Sequence, residues 1–437
     1  MRSARSAGPG FSPLDEELQL LAGGLSATVL EGLVRLATWM PFAQAAEHLA
    51  FFWQVSVEAS TVRRQTEAAG AAYVTLQTAE VERLERAALA AEPVGDRPNA
   101  GPVGPAVLQV SADGALVPLL KGEWAEVKTV ALGPVALVPD GDPEGVPQAR
   151  AHDLSYFSRL ADAETFTRLA WGELHRRGLE TAGTVCGVMD GADWEQTFLD
   201  VHRPDAKRIL DFPHSIEHLT TAGQATLGVG TAATTAWRDE QAHALKHDAE
   251  GPAAVLAALA ALPVAQAADP TAASSARDAT LGYLTKRLEQ IQYAHFQALG
   301  YPIGSGAVES ANKLVVEARL KGSGMHWARE HVNPMLALRT IACADQWAEA
   351  WPQITATLRQ QAQQRRHQRR RARRPPPVSA SAPPPPPLPE AALPARRPAT
   401  APRRPRVVDG RPTAEHPWRR PLLAGGRRYT ASHPRSL

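Results

Sequence analysis

The sequence predicts an α/β fold in which a segment of strands lies between two helical regions. Near the N-terminus apolar residues recur at three- and four-residue spacing, which is typical of amphipathic helices. After a linker rich in Pro and Gly at 92–105, short apolar and alternating runs indicate strands. From about residue 215 the chain returns to a helical, alanine-rich pattern. A chain of 437 residues, 44% of them hydrophobic, is long enough for two or three folded units with a sizeable core.

The N-terminal helical region is predicted over 13–91, after about twelve residues that we expect to be disordered. Its third helix covers about 59–69 and ends at Gly70, because glycine is common just beyond helix ends. Two helices joined by a short turn, with Arg63 and Arg64 on the second, are typical of a helix-turn-helix that contacts DNA. A plain helical bundle gives the same pattern, so both interpretations stay open.

The segment 106–358 is predicted to form one α/β domain. Its first two strands, 106–110 and 115–119, form a hairpin that turns near Asp113-Gly114, because Asp-Gly is a common hairpin turn. A third strand, a helix, a nearly all-apolar strand, a second helix and a short strand follow at about 125–132, 163–178, 184–189, 194–202 and 208–212. The rest of the domain is helical.

This order of elements, with a helical insertion at about 219–300, is that of a ribonuclease-H-like catalytic domain. In that fold one acid lies on the first strand, a second just past the fourth, and a third on a later helix. Here those places hold Asp113, Asp190 and Glu309, which we predict to be the catalytic and metal-binding residues. Carboxylates are ligands that Mg²⁺ or Mn²⁺ prefers, and two such cations can activate a nucleophile and stabilise a leaving oxygen at a phosphodiester.

Each acid alone has a simpler interpretation. Asp113 could be a turn residue, Asp190 a helix cap, and Glu309 a first-turn acid that gains from the helix dipole. Their joint placement at ends that can converge favours the metal site. Glu317, eight residues after Glu309, is a local competitor for the third position; we prefer Glu309 because the glycine-rich loop before it places it in the first turn.

Basic side chains follow Glu309 closely along the chain. Lys313, Arg319 and Lys321 are candidates for contacts to the DNA backbone, and free backbone N–H groups in the first helical turn could meet a phosphate. An ordinary solvated surface is an equally good interpretation of these charges.

A competing motif lies at 214–218. His214 and His218 with Glu217 match the H-x-x-E-H pattern of inverted zinc proteases, and histidines four apart share a helix face. That site needs a third carboxylate ligand, which no short motif supplies, so we favour an accessory role near the nuclease site for Asp211, His214 and His218.

The charge of the chain is uneven. From Arg365 onward eighteen arginines stand against three acids, so this segment carries +15 and the first 364 residues carry −13, within a net charge of +2. We predict that 359–437 is a disordered Arg/Pro-rich tail, either an arm for a polyanionic partner or a plain linker. Two cysteines and no apolar N-terminal run fit a cytoplasmic protein.

Longer motifs closely resemble the ISKra-four family of insertion-sequence transposases. They occur in order over roughly 12–352: Asp113-Gly114 with Glu123-Trp124 and Glu126-Val127-Lys128, Val188-Met189-Asp190-Gly191-Ala192-Asp193-Trp194, Ile209-Leu210-Asp211-Phe212-Pro213-His214 with Glu217-His218-Leu219, and Tyr301 to Trp327. The N-terminal helices through Val62-Arg63-Arg64 are similar as well.

The resemblance implies an Asp-Asp-Glu transposase that cleaves and joins double-stranded DNA at element ends, with Mg²⁺ or Mn²⁺, as a homodimer on DNA. Matching by motif gives the same three acids. Family members commonly begin with a cysteine-bearing, zinc-ribbon-like segment, and this sequence starts after it. The alternative is therefore a truncated, catalytically inactive relic that acts only as a DNA-binding protein.

Overall fold

The structure is a computed structural model that describes residues 25–90, 103–139, 147–373, 407–408 and 411–412. The chain divides into two compact units, 1–374 and 375–437. Within the second unit, Val407–Val408 pairs antiparallel with Arg411–Pro412. The predicted disorder of the first twelve residues and of the tail beyond 373, those four residues apart, lies outside the described residues, as does most of the 92–105 linker.

The first unit contains fourteen α-helices and six β-strands within its described residues. The helices are α1 (Ala27–Trp39), α2 (Phe42–Trp53), α3 (Ala59–Ala90), α4 (Ala163–Arg176), α5 (Asp193–His202), α6 (Phe212–Leu227), α7 (Ala232–His247), α8 (Gly251–Ala260), α9 (Pro270–Thr285), α10 (Tyr293–Ala298), α11 (Gly306–Ala311), α12 (Ala318–Leu320), α13 (Arg329–Cys343) and α14 (Trp347–Arg373). The strands are β1 (Val107–Pro118), β2 (Trp124–Val138), β3 (Gln148–Ala151), β4 (Ser155–Arg159), β5 (Thr184–Met189) and β6 (Lys207–Leu210).

The six strands form one curled, mixed sheet, so the predicted α/β class is confirmed. Its order is β3-β2-β1-β5-β6, and β4 pairs with the other part of the β2 edge. β1 runs antiparallel to β2 and parallel to β5, which in turn runs parallel to β6. The carboxyl ends of three neighbouring strands, β1, β5 and β6, therefore point the same way.

The predicted hairpin turn at Asp113-Gly114 is wrong. β1 continues straight through both residues, with Asp113 opposite Thr129 and Gly114 opposite Lys128. The chain reverses later, where the Leu119 N–H donates to the Glu123 carbonyl. Both faces of β1 are covered, which keeps the segment extended: Leu108, Val110 and Ala112 pack against α4 and α5, and Ala115 and Val117 pack against the helices that follow Glu309.

The prediction that the third helix ends at Gly70 is also wrong. α3 has 32 residues and continues through this glycine without a break. A Cβ at Gly70 would lie 2.1 Å from the carbonyl oxygen of Pro334, so the glycine permits α3 to cross α13 at backbone contact. The core of the N-terminal helices includes Leu338, Trp347 and Trp351 from the C-terminal helices, so the two ends of the unit pack together.

The helices and strands predicted between 163 and 212 agree with α4, β5, α5 and β6 to within a few residues. The insertion is helical as expected, from α6 to α10. Within it Asp269 caps α9 by accepting from the N–H groups of Thr271 and Ala272.

The last helix is longer than predicted. α14 continues to Arg373, so the part of the predicted disordered tail from 359 to 373 is helical. Among the described residues, none of the helices combines the length and the apolar character needed to cross a membrane.

Candidate metal centre

Asp113 and Asp190 meet because their strands are parallel neighbours. In the pairing of β1 with β5, Val110 lies opposite Gly187. Asp113 and Asp190 each follow three residues after this pair, so they lie at the same level of the sheet. Asp190 follows the last residue of β5, and its Oδ1 accepts from the N–H of Ala192 at 2.8 Å. Both carboxylates are half-buried. The sequence prediction that these two acids come together is consistent with this register.

Glu195 completes the cluster, and sequence reasoning missed it. One ligand oxygen from each of Asp113, Asp190 and Glu195 lies within 4.8 Å of the other two. Glu195 is on the first turn of α5 and is only 1% exposed. Its Oε2 accepts from the N–H of Gly191 at 3.1 Å. Three carboxylates at this spacing could hold a divalent metal ion, since hard cations bind clustered carboxylate oxygens.

Burial and neighbouring charges raise the pKa of two of these acids, Glu195 and Asp113. Burial, followed by the hydrogen bond to Asp190 and the charges of Asp190 and Asp113, raises the pKa of Glu195 to about 10. Burial also raises the pKa of Asp113, and the charges of Asp190 and Glu309 add to that rise. A bound cation would offset this repulsion, because it favours the charged form of each ligand.

We expect Glu195→Gln to make the metal-free protein more stable at pH 8. The folded state holds a proton on Glu195 that the unfolded chain, with a pKa near 4.5, releases. Stability from this group is therefore complete below pH 4.5 and is lost as the pH rises toward 10. Glutamine keeps the shape and does not titrate, so the thermal midpoint at pH 8 should rise by several degrees.

With Mn²⁺ bound, we expect the wild type to be more stable than Glu195→Gln. Mn²⁺ should raise the melting temperature of the wild type, and the rise should be much smaller for Glu195→Gln because one charged ligand is lost. Melting curves from pH 5 to 9, with and without Mn²⁺, measure both effects. Glu240→Gln, on an exposed part of α7, is the matched control. A glutamine variant that is less stable than wild type without metal and responds fully to Mn²⁺ would contradict the assignment.

Glu309 lies outside the closely spaced group but beside it. It is on α11, is exposed, and lies with its Oε1 3.5 Å from the hydroxyl of Ser305. Its charge contributes to raising the pKa of Asp113. Asn312, three residues further along, donates from Nδ2 to Oδ2 of Asp113 at 2.8 Å. This hydrogen bond connects the end of α11 to Asp113. The role of Glu309 as a metal ligand stays a prediction.

Glu317, the alternative candidate for the third acid, forms an ion pair with Lys321. Its Oε1 lies 2.6 Å from Nζ of Lys321, one helical turn on. That ion pair also occupies Lys321, one of the residues predicted to contact DNA. The structure therefore gives no reason to prefer Glu317 over Glu309.

Asp211 positions the loop that precedes Glu309. It is 3% exposed at the end of β6, and its Oδ2 accepts from the N–H of His214 to cap α6. Its Oδ1 accepts from the N–H of Ser305 at 2.6 Å. The predicted accessory residue is thus a structural link between the second half of the sheet and the start of α11.

The helical insertion is connected directly to the loop that carries Asp190. The Tyr283 hydroxyl donates to the Asp190 carbonyl, and Arg287 Nη2 donates to the Gly191 carbonyl at 2.6 Å. Gly191 has a φ of +86°, and a Cβ there would lie 2.5 Å from the Arg287 Nε. Glycine is therefore required where the insertion reaches the loop that carries Asp190.

The two histidines of the protease-like motif lie against the same part of the insertion. Their Nε2 atoms are 3.3 Å apart, and the His218 ring stacks on Tyr283 with centroids 4.0 Å apart. Among the residues that the structure describes, no third histidine, cysteine or carboxylate joins this pair in a group with all ligand atoms within 4.8 Å. A zinc-protease site is not supported by this arrangement.

The predicted DNA-contacting residues have different outcomes. Arg63, Arg64 and Lys313 are exposed, and for them DNA contact stays a prediction. Arg319 is 2% exposed, and its Nε donates to the Ala37 carbonyl at 3.0 Å. DNA contact by Arg319 is therefore wrong, because its guanidinium lies inside the fold between α1 and the helices after Glu309.

Two residues of the site were missed from the sequence, Glu195 and Asn312. Glu195 looks like an ordinary first-turn acid, and only its burial beside two aspartates distinguishes it. Asn312 carries a weak signal, since a polar residue three positions after a predicted catalytic acid shares its helix face.

No protein-family model matches the chain, and a search of curated proteins finds no match.

Proposed function

We propose that the protein is a DNA transposase of a bacterial insertion sequence, which uses Mg²⁺ or Mn²⁺ to cleave and join DNA at the element ends. The observation that carries the proposal is the convergence of three acids: Asp113 in the middle of β1, Asp190 directly after the parallel neighbour β5, and Glu195 on α5. Glu309, the third acid predicted from the sequence, lies beside this group on α11, and Asn312 at the end of α11 donates to Asp113.

The arrangement of the sheet supports a ribonuclease-H-like domain. Its first strand lies between an antiparallel partner and a parallel one, and its first two acids lie on β1 and directly after β5. α4 and α5 cover one face, and the helices after Glu309 pack on the other. The helical insertion between β6 and α11 agrees with the domain organisation that the sequence motifs imply.

The chemistry follows from the ligand set. A bound Mg²⁺ or Mn²⁺ supplies Lewis acidity at the phosphodiester and lowers the pKa of an attacking hydroxyl. Asp113 and Asp190 hold their carboxylates in fixed positions, because Asn312, Gly114 and Ala192 donate to them. Water and a DNA 3′-hydroxyl are the proposed nucleophiles, so no side chain needs to form a covalent link to DNA.

DNA is the proposed partner on grounds of charge. Exposed Arg63 and Arg64 lie on α3, and the exposed Lys313 lies in the π-helical segment that follows α11. The segment from Arg365 to the end carries a net charge of +15. Because each phosphate contact releases counterions, this segment should add affinity without sequence preference and steepen the dependence of binding on salt.

The test uses the full chain and a supercoiled plasmid that carries the gene with its native flanking DNA. With Mg²⁺ or Mn²⁺ we expect cuts at the two element ends that leave 3′-hydroxyls, mapped by primer extension, and none with EDTA. DNA binding by gel shift without any cutting would reject the enzyme and favour the inactive DNA-binding relic. Absence of both would reject the whole proposal.

A further inference from the structure

A cleft lies between the outer edge of the sheet and the helical insertion. Its volume is about 900 Å³, and its walls come from β3, the start of α6, the end of α7, α10 and the loop that leads to α11. β3 is the last strand on this side of the sheet, so the cleft follows an edge strand. Sites for small ligands measure about 300–1,000 Å³, so this cleft has room for a ligand as large as a phosphorylated nucleoside.

The charge of this cleft is opposite to that of the body around it. The first 364 residues carry a net charge of −13, yet the described residues that line the cleft include no Asp or Glu. Arg150 lines it from β3, and Lys246 and His247 line it from the end of α7. Within the described part of the chain neither Arg150 nor Lys246 forms an ion pair, so each charge is available to an anionic ligand such as a phosphate.

Aromatic side chains form part of the same walls. Tyr301 and Phe212 line the cleft, and both are partly exposed. The Lys246 Nζ lies 5.9 Å from the centroid of the Phe212 ring, so a cation stands directly beside an apolar surface. Proteins that bind single nucleic-acid strands combine these two features, because basic groups follow the phosphates and aromatic rings stack on the bases.

The cleft borders the helix that carries Glu309. Gly306 and Ser310 lie one helical turn apart on α11, and both line the cleft. Glu309 lies beside Ser310 and three residues after Gly306, so it borders the face of α11 that they form. Asn312 at the end of α11 donates to Asp113. A strand that leaves the cleft along α11 would therefore pass Glu309 on its way to the acidic cluster.

We propose that this cleft binds a single strand of DNA, with backbone phosphates at Arg150 and Lys246 and a base against Tyr301. Its volume suits part of one strand and is too small for a duplex, whose major groove alone is about 12 Å wide. The role of the bound strand in cleavage rests on the proposed function, but the binding itself requires neither metal nor cutting. A free nucleotide has the same chemistry and is the alternative that the test separates.

The first measurement locates the strand on the protein. A short thymidine oligonucleotide that carries one 5-iodouracil is bound to the full-length protein in EDTA and illuminated, and the cross-linked peptide is identified by mass spectrometry. Iodouracil forms cross-links to aromatic side chains that it contacts, so we expect the peptide that contains Tyr301. Cross-links found only outside the cleft, for example only within 375–437, would refute the proposal.

The second measurement compares affinities for the same oligonucleotide by fluorescence anisotropy at several salt concentrations. Every variant keeps the basic tail, so differences between variants report on the cleft. Lys246→Gln should weaken binding about fivefold and lower the salt slope by about 1, because one phosphate contact is lost. Tyr301→Leu should weaken binding about tenfold and leave the slope unchanged, because stacking releases no counterions. Lys286→Gln removes the same charge at an exposed position of the insertion outside the cleft, and we expect almost no effect.

Equal effects of Lys246→Gln and Lys286→Gln would overturn the proposal. Competition by thymidine monophosphate as strong as that by the oligonucleotide would overturn it too, and would assign the cleft to a free nucleotide. If Tyr301→Leu fails to fold, as judged by circular dichroism, the two lysine variants and the cross-link decide alone. Because these assays contain no metal and no cleavage step, the proposal can fail while the transposase function stands, and the reverse also holds.

Discussion

Asp190→Asn should abolish metal-dependent DNA cleavage while leaving DNA binding close to that of the wild type. The substitution removes one charge from the proposed cation site that Asp190 shares with Asp113 and Glu195, whose oxygens lie within 4.8 Å of one another. Because acids that hold one site act as a unit, the loss of a single one should reduce the cleavage rate by about a thousandfold or more. Cleavage assays at fixed Mg²⁺ and Mn²⁺, with gel shifts on the same DNA, measure both quantities.

Asp193→Asn is the matched control for that variant. Asp193 lies three residues on, is exposed, and does not belong to the acidic cluster, so its loss should leave cleavage nearly unchanged. If the protein used a zinc-protease mechanism instead, His214→Ala would abolish activity and Asp190→Asn would reduce it only slightly. Full cleavage by Asp190→Asn would overturn the metal centre as described.

The largest effect on stability is expected from Gly70→Ala. Alanine normally stabilises the interior of a helix relative to glycine by about 0.5–1 kcal/mol. Here the added Cβ would lie 2.1 Å from the Pro334 carbonyl oxygen, and a backbone atom cannot rotate away. α3 and α13 would have to separate, so we expect the free energy of unfolding to fall by about 3 kcal/mol.

Gly282→Ala provides the opposite control. Gly282 also lies inside a helix, α9, but a Cβ there would meet nothing within 4 Å. Its substitution should raise the free energy of unfolding by about 0.5–1 kcal/mol. Urea unfolding of both variants gives the two values, and an equal response would show that the contact between α3 and α13 is loose.

The sequence predicted best those elements that are buried on both faces. β5 is recognisable because its residues are nearly all apolar, and its end places Asp190 correctly. The strand predicted at about 125–132 agrees with β2, but the prediction divided β1 into two strands and missed β3 and β4. Asp113-Gly114 has the composition of a turn, and only the helices that cover both faces of β1 keep it extended.

The predictions for Gly70 and Arg319 were wrong because the role of each residue depends on its packing partners. Gly70 could end a helix or allow two helices to touch, and the two uses look the same in one sequence. Arg319 seemed to be a surface cation, but it stacks on Phe42 and Trp327 with its guanidinium 4.9 and 5.1 Å from their ring centroids. Such outcomes depend on partners distant along the chain, which local spacing does not reveal.

Two buried arginines have a consequence for how the chain is made. Arg319 and Arg339 donate to the carbonyls of Ala37 and Thr38, across separations of 282 and 301 residues. A ribosome that adds 5–20 residues per second reaches α13 roughly 10–50 s after completing α3. Throughout that interval the apolar face of α1 has no partner from the C-terminal helices, and exposed apolar surface of this kind is prone to aggregation. Asn312, which donates to Asp113, follows it by 199 residues, so the hydrogen bond at the acidic cluster cannot form until most of the chain has been made.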